Sequence, residues 1–325
     1  MTKIAFHSLN RLTERVRFTG LHRGHDCTAL ALIMGLMLTG LTGCSSLAYR
    51  GLADGLASGG GVYASDDDIE FIGQASPFGL KTMETVLARL PEHRPLARTV
   101  ASGYVQYAYV YLQLQADEIE DQDVAKAYEL RARARHMYLR ARDTGLRALD
   151  LPPATTLLSD GTPLTAVLSR AEKDDAGLLY YTALAWLAAI SQGKDDAQLI
   201  AGLPQAEALL DRAYALDPDY EEGGLEGFLV GYDMGRPGAG PAAEQRAREH
   251  YARSIALSHG RRVAPFVTLA ESVSIPTRNR QEFKSLLDQA LAIDTDARPD
   301  WRLANLVMQR RARWLLGRVE LYFPE

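Results

Sequence analysis

The sequence predicts an all-α protein, a superhelix of helix pairs stacked side by side. Two observations predict it. Beyond residue 76, apolar residues recur at intervals of three and four, and no long alternating stretch marks a strand. Three nine-residue segments also align without gaps: Leu209–Asp217 (LLDRAYALD), His250–Ser258 (HYARSIALS) and Leu286–Asp294 (LLDQALAID).

The aligned segments start 41 and 36 residues apart, close to the roughly 34 residues of a tetratricopeptide repeat. Helix pairs that bury only part of their apolar surface must stack on their neighbours. The expected architecture is therefore an α-α superhelix of tetratricopeptide-like pairs, in one cooperative unit over residues 69–325.

The chain opens differently. Lys3, Arg11, Arg15, Arg17 and Arg23 precede the apolar run Thr28–Thr39, and Leu41-Thr42-Gly43-Cys44 follows it. A basic start, a short apolar core and small residues before a cut are the parts of a secretory signal. The run is 12 residues, short of the roughly 20 that span a bilayer. The spacing resembles a bacterial lipobox. That resemblance implies cleavage before Cys44, acylation of Cys44 (palmitate among the chains) and removal of residues 1–43. Ser45 after the cysteine resembles an outer-membrane address. The protein is then lipid-anchored in a bacterial envelope, facing the periplasm. Cys27 leaves with the leader and Cys44 is capped, so no thiol remains to pair and a sufficient core must hold the fold.

Residues 44–68 read as a flexible membrane tether, because Gly51, Gly55, Gly59, Gly60 and Gly61 crowd together. Asp66-Asp67-Asp68 reads as a solvated start to the domain, with no matching metal ligands after it. Ser76-Pro77 predicts an N-cap and first helical position, with the helix stopping before Pro91. Further helices are predicted over 96–118, 124–149, 177–191, 204–216, 219–232, 242–258, 263–272, 280–293 and 299–322. Residues 149–177 read as a long loop with one short helix near its end. Gly224, Gly227 and Gly231 share a helix face and predict close approach by another backbone. Asp217-Pro218 ends one helix and opens the next.

The chemistry-bearing signals are sparse. The 325-residue chain has a formal charge of -5, and loss of the leader, with five basic and two acidic residues, takes it to -8. That argues against nucleic acid as a partner. Four histidines lie beyond the leader, none at metal-binding spacing from another, and no His-Glu-x-x-His or Cys-x-x-Cys occurs. Gly238–Ala243 matches a loose dinucleotide fingerprint, but no strand precedes it and Pro241 interrupts it. No metal, cofactor or catalytic residue is expected, and the protein reads as a non-enzyme.

Two sets of residues stand out. Tyr104, Tyr107 and Tyr111 share one face of a first-of-pair helix, and Tyr181 and Trp186 extend the pattern on the next. They form either an aromatic binding groove or packed core. Arg133, Arg140 and Arg147 recur every seven residues, while Arg131, Arg135 and Arg142 share another face. They form either a solvated, internally paired surface or a patch for an acidic partner, a carboxylate or lipid headgroups. Arg310, Arg311 and Arg313 raise the same question.

Further segments carry a family resemblance: Ala75–Glu84 (ASPFGLKTME), Leu90-Pro91, Gln106-Tyr107-Ala108, Arg133–Arg140, Leu179–Trp186, Leu210–Ala213 and Arg310–Leu316. Together they resemble the TatT family, the T components of tripartite ATP-independent periplasmic (TRAP) transporters. The resemblance covers about residue 68 to the C-terminus. It implies a lipoprotein that binds the transporter's solute-binding protein, assembles as a homotrimer and holds or passes a small hydrophobic or organic-acid ligand. The competing reading is an outer-membrane scaffold for another envelope complex. The matching motifs are packing motifs and transfer no catalytic residue.

Overall fold

A computed structural model of the chain describes residues 49–325. The leader over 1–43 and the lipidation at Cys44 lie outside the described residues. Every regular element within them is helical, as the apolar spacing predicts.

Residues 49–58 are helical and lead into α1 (Gly60–Ala64), where glycine content predicts a flexible tether. The difference has a packing reason. Ala53 is fully buried, and Thr99 Oγ1 donates to the Ala57 carbonyl at 3.2 Å. Arg302 Nη1 donates to the Ser65 carbonyl at 3.0 Å. Tertiary contacts here override poor intrinsic helix propensity.

Helix α2 spans Ile69–Leu87. Its N-cap is Asp68, whose carboxylate accepts from the Phe71 amide, and not Ser76. Pro77 therefore lies inside the helix, where it cannot donate to the turn before it. Ser76 Oγ donates back to the Ile72 carbonyl at 2.6 Å. Gly73 admits the Tyr111 ring, for a Cβ there would lie 2.8 Å from Tyr111 Cδ1.

Helix α3 (Arg94–Ala108) continues through a π-turn at Tyr109–Gln113 into α4 (Leu114–Ile119). Helix α5 runs over Val124–Ala148 from an Asp123 cap. Two helices, α6 (Ala154–Ser159) and α7 (Thr162–Arg170), occupy the predicted long loop. Then come α8 (Ala176–Ser191), α9 (Ala197–Ile200) and α10 (Leu203–Leu216). Helices α11 (Tyr220–Gly235) and α12 (Ala243–Ser258) pair next. Helix α13 (Ala264–Leu269) carries a second π-turn at Ala270–Ser274 and pairs with α14 (Arg280–Ala292). The last predicted helix is broken into a 3-10 turn at Pro299–Trp301, α15 (Arg302–Leu316) and α16 (Val319–Tyr322).

The three aligned segments fall on α10, α12 and α14. Their equivalent positions Ala213, Ser254 and Ala290 are all fully buried, as are Ala206, Ala247 and Phe283 seven residues earlier. Gly227 and Gly231 face neighbouring side chains, Ser254 and Thr268, and Gly224 faces Glu221. The close backbone approach falls at Gly223, where a Cβ would lie 3.0 Å from both Cα and O of Ser254.

The buried apolar residues form two clusters, one over Ala53–Leu229 and one over Val230–Phe323 joined by Leu114. Helix α15 then returns to the beginning of the array. Arg310 reaches Glu70 at 3.1 Å and Glu118 at 2.8 Å, Arg311 reaches Asp117 at 3.3 Å, and Arg318 pairs with Asp121. The superhelix is closed on itself by ion pairs between its first and last helices.

Candidate functional site

The tyrosine face of α3 is largely built into the structure. Tyr104 is buried, with the Arg140 guanidinium 5.5 Å from its ring centroid. Tyr111 is half-buried and donates from its hydroxyl to the Ile69 carbonyl at 2.9 Å, pinning the first turn of α2. Burial and the neighbouring Glu70 push its pKa up to about 12. Tyr107 lies against Tyr111 with ring centroids 5.5 Å apart and planes tilted by 37°, and it packs against the first core. Trp186 on α8 is 1% exposed, and its ring fills the space a side chain at Gly202 would need. Tyr104 and Trp186 thus lie in the core and cannot line an open groove, because the helix pairs close over them.

The arginines of α5 split by face. Arg131 bonds Glu120 at 2.6 Å and Asp117 at 3.0 Å, and Arg142 pairs with Asp143 at 2.8 Å. Arg135 lies 3.8 Å from Asp195. Arg140 is exposed and 3.5 Å from Glu84. Arg133 is exposed with no ionic partner among the described residues. Most of this set is internally paired.

Arg311 differs from its neighbours. It is 7% exposed and donates from Nε and Nη2 to Glu271 Oε1 at 3.1 and 2.7 Å. Its Nη1 is buried without a partner among the described residues. Trp314 is sandwiched between Arg311 and Arg318, each 4.2 Å from its ring. Burial raises the Glu271 pKa, with Arg311 opposing. Tyr109 opens the first π-turn and Glu271 lies in the second. Burial raises the Tyr109 pKa, with Glu271 adding and Arg311 opposing, so both irregular turns border this ion pair. π-turns insert one residue into a helix and often mark functional positions.

A second centre forms around Tyr181. Tyr180 and Tyr181 on α8 lie 5.0 Å apart, Tyr220 lies 5.6 Å from Tyr180, and Phe228 lies 6.1 Å from it. The Tyr181 hydroxyl donates to Glu221 Oε1 at 2.8 Å. Glu221, Glu222 and Gly223 form a left-handed turn, with φ of 53°, 50° and 90°. Such conformations cost about 1–3 kcal/mol per non-glycine residue and persist only when surroundings impose them. Here Arg262 donates to the Glu221 carbonyl, Arg298 forks onto Glu222, and Ser254 Oγ donates to the Gly223 carbonyl at 2.7 Å. The sequence reading reached Tyr181 but missed Tyr180, Tyr220, Arg98 and Arg262. The available signals were the Tyr180-Tyr181 doublet and Glu-Glu-Gly at the start of a helix.

Glu226 and Asp233 on α11 are a buried carboxylate pair bridged by His250, at 2.5 Å from Nδ1 and 3.5 Å from Nε2. Arg253 and Tyr214 also bond Glu226, and Arg246 bonds Asp233. Their protein donors lock α11 to α12. A shallow depression on the outer face of α14 between Gln281 and Ala292 has no convergent charged groups from a second element. Among the described residues no His, Cys, Asp and Glu group is placed to hold a metal, and no helix is long and apolar enough to cross a membrane.

A family model described as TAtT, the TRAP transporter T-component, matches residues 65–323. The chain belongs to the TRAP transporter T-component family. A protein of Treponema pallidum (strain Nichols), described only as uncharacterized, is 31% identical over 269 residues, or 81% of this chain and 82% of that relative. The T-component match begins at Ser65, the residue whose carbonyl Arg302 holds, and ends at the buried Phe323. It therefore takes in the whole closed array and both π-turns.

Proposed function

We propose that this T-component is a lipid-anchored, periplasm-facing protein that docks the solute-binding protein of a TRAP transporter and holds or passes its ligand, without catalysing a reaction. The observation that carries the reading is the family match over 65–323. The lipobox at Cys44 supplies the anchor.

 

Among the described residues, six of the ten exposed large apolar side chains lie within residues 49–78: Tyr49, Leu52, Val62, Tyr63, Phe71 and Phe78. Phe71 and Phe78, 60% and 80% exposed, are seven residues apart and share one face of α2. Exposed apolar residues concentrated at one end mark an interaction surface.

Co-purification tests the reading. Full-length protein extracted from envelopes in detergent is expected to bring down a TRAP solute-binding protein. Recovery of outer-membrane assembly proteins in its place would instead support the scaffold reading. Cys44→Ala is expected to leave an unprocessed precursor or a protein lost from the membrane fraction. A processed, membrane-anchored Cys44→Ala protein would remove the lipid anchor from the proposal.

A further inference from the structure

The glycine-rich segment that follows Cys44 is used up in packing. Ala53 is fully buried, and Leu56 and Ala57 pack on the first core. His93 Nε2 lies 3.0 Å from Asp54 Oδ1. The Tyr63 hydroxyl sits over Gly79, where a Cβ would lie 2.8 Å from it. With the bonds from Thr99 and Arg302, the segment is held to the domain from Ala53 to Ser65. The chain is already helical at Tyr49, and five residue steps separate Tyr49 from Cys44. Fully extended at about 3.6 Å each, they reach about 18 Å at most. An acylated Cys44 would sit at the headgroups, so the Tyr49 end of the domain is held close to the bilayer.

That end carries apolar surface. Tyr49 and Leu52 are 42% and 50% exposed, and their spacing of three puts them on one side of the helical segment 49–58. Charge there is balanced. Arg50 and Asp54 share the segment, Arg89 and Glu92 lie in the adjoining turn, and Arg94 pairs with Asp150 at 3.6 Å. An apolar contact therefore has no opposing net charge to overcome. Tyrosine suits headgroup level, with its ring in apolar surroundings and its hydroxyl in water, and leucine suits the layer beneath. The flank beyond Val62 differs. Asp66, Asp67 and Asp68 interrupt it, and a row of carboxylates is repelled by anionic headgroups.

We propose that Tyr49 and Leu52 seat in the headgroup layer of the bilayer that holds the acyl chains, so that the domain rests on the membrane by this end and does not swing on a long tether. The proposal rests on the lipid-anchor reading of Cys44. It leaves Phe71 and Phe78, on α2, open to the solute-binding protein. Asp54, His93, Arg94 and Asp150 gather the end of α5 at the same place. Tyr128, 70% exposed near the start of α5, then lies roughly 33 Å away along that helix at 1.5 Å per residue, in water.

Nitroxide labels test the seat. The chain has two cysteines; Cys27 leaves with the leader and Cys44 is acylated, so an introduced cysteine is the one free thiol of the mature protein. Tyr49→Cys, Leu52→Cys and Tyr128→Cys are each labelled in the full acylated protein and reconstituted into vesicles of phosphatidylethanolamine and phosphatidylglycerol. All three positions are exposed, so the fold should survive, with a thermal melt as the check. Collisions of the label with oxygen, which concentrates in lipid, are compared with collisions with a water-soluble nickel chelate. The oxygen-to-nickel ratio should be several-fold higher at 49 and 52 than at 128. A protein that floats with the vesicles but whose label at 52 meets nickel as freely as the label at 128 overturns the seat and leaves the anchor standing. A lipid-like ratio at 128 overturns it as well. Shielding of the label at 52 that appears only when the solute-binding protein is added would give this face to that partner. Spin–spin broadening at 52 would give it to a second copy of the chain. Either result overturns the proposal. A protein that does not float with the vesicles strikes the lipid-anchor reading itself, and the seat falls with it.

Discussion

Gly145→Ala places a methyl group in the tightest contact between α5 and α8. Gly145 is buried against Thr182, which is itself 0% exposed. The new Cβ would lie 2.9 Å from Thr182 Cβ and 3.0 Å from Cγ2, and nearer still to Oγ1. Rotation about χ1 offers no escape, because threonine carries two heavy atoms on Cβ and the Cβ itself is already too close. Rotation would also break the Oγ1 hydrogen bond to the Leu178 carbonyl at 2.6 Å. Alanine gains about 1 kcal/mol of helix propensity over glycine. Overpacking costs about 1–3 kcal/mol, more where backbones must separate. Because the clash meets a branched Cβ between two helices, the upper part of that range, about 2–3 kcal/mol, applies. The net expectation is a loss of about 1–2 kcal/mol, read as a lower urea midpoint for the full chain. Thr182→Ala should relieve the clash, so the double mutant should show a favourable coupling of about 1–2 kcal/mol. Near-ultraviolet circular dichroism should change in Gly145→Ala alone, because Tyr181 adjoins Thr182 in the aromatic cluster. A Gly145→Ala protein as stable as wild type, or more stable, would refute the close packing of these helices.

Arg311→Met should cost up to about 3 kcal/mol at neutral pH by leaving the half-buried Glu271 carboxylate without its partner; urea titrations should show a smaller loss with Glu271→Gln added. Tyr111 has a folded pKa raised from 10 to about 12, so its contribution is complete below pH 10 and lost as pH rises toward 12. Alkaline urea titrations should therefore show falling stability over that window, with a shallower fall in Tyr111→Phe. Phe71→Ala with Phe78→Ala should weaken capture of the solute-binding protein about tenfold or more while leaving the melt unchanged, since both rings are exposed. Unchanged capture would move the docking surface elsewhere.

The repeat was legible because burial at Ala213, Ser254 and Ala290 imposes small residues at equivalent positions, whatever the outer faces carry. Helix ends were legible where one residue sets them, as at Asp123 and Pro218. The start of α2 was not. Ser76-Pro77 has the local chemistry of a helix start, but Tyr111 and the Asp68 cap extend the helix a further two turns. Glycine at 51–61 signals flexibility only when nothing packs on the segment, and Ala53 and Ala57 are held by α3. The tyrosine face was legible as a face, because spacing fixes direction. Whether that face meets solvent or another helix depends on partners remote in sequence.

The same limit explains why the irregular turns escaped the sequence and why they gather where they do. A π-turn adds one residue without disturbing the helix on either side, so apolar periodicity passes through Tyr109–Gln113 and Ala270–Ser274 with only a small phase slip. A left-handed turn at Glu221–Glu222 contradicts the preference of both residues and leaves no local signature beyond Gly223. Two of these departures are held by groups far away in the chain: Arg311 for the turn at Ala270–Ser274, and Arg262, Arg298 and Ser254 for the left-handed turn. Arg298 and Arg311 flank the start of α15 and its interior, and α15 is the helix that closes the array. Closure and the two polar centres are therefore coupled. Loosening α15 from Asp117, Glu118 and Glu70 should release the π-turn centre, while the turn at 221–223 loses only what Arg298 and Trp301 contribute. Replacing Arg310, whose partners Glu70 and Glu118 lie on the first helices, separates these effects. Hydrogen exchange should quicken around Tyr109 and Glu271 in Arg310→Ala and stay slow around Tyr181 and Gly223. Equal quickening at both centres would show that closure holds the whole array and not the π-turn centre alone.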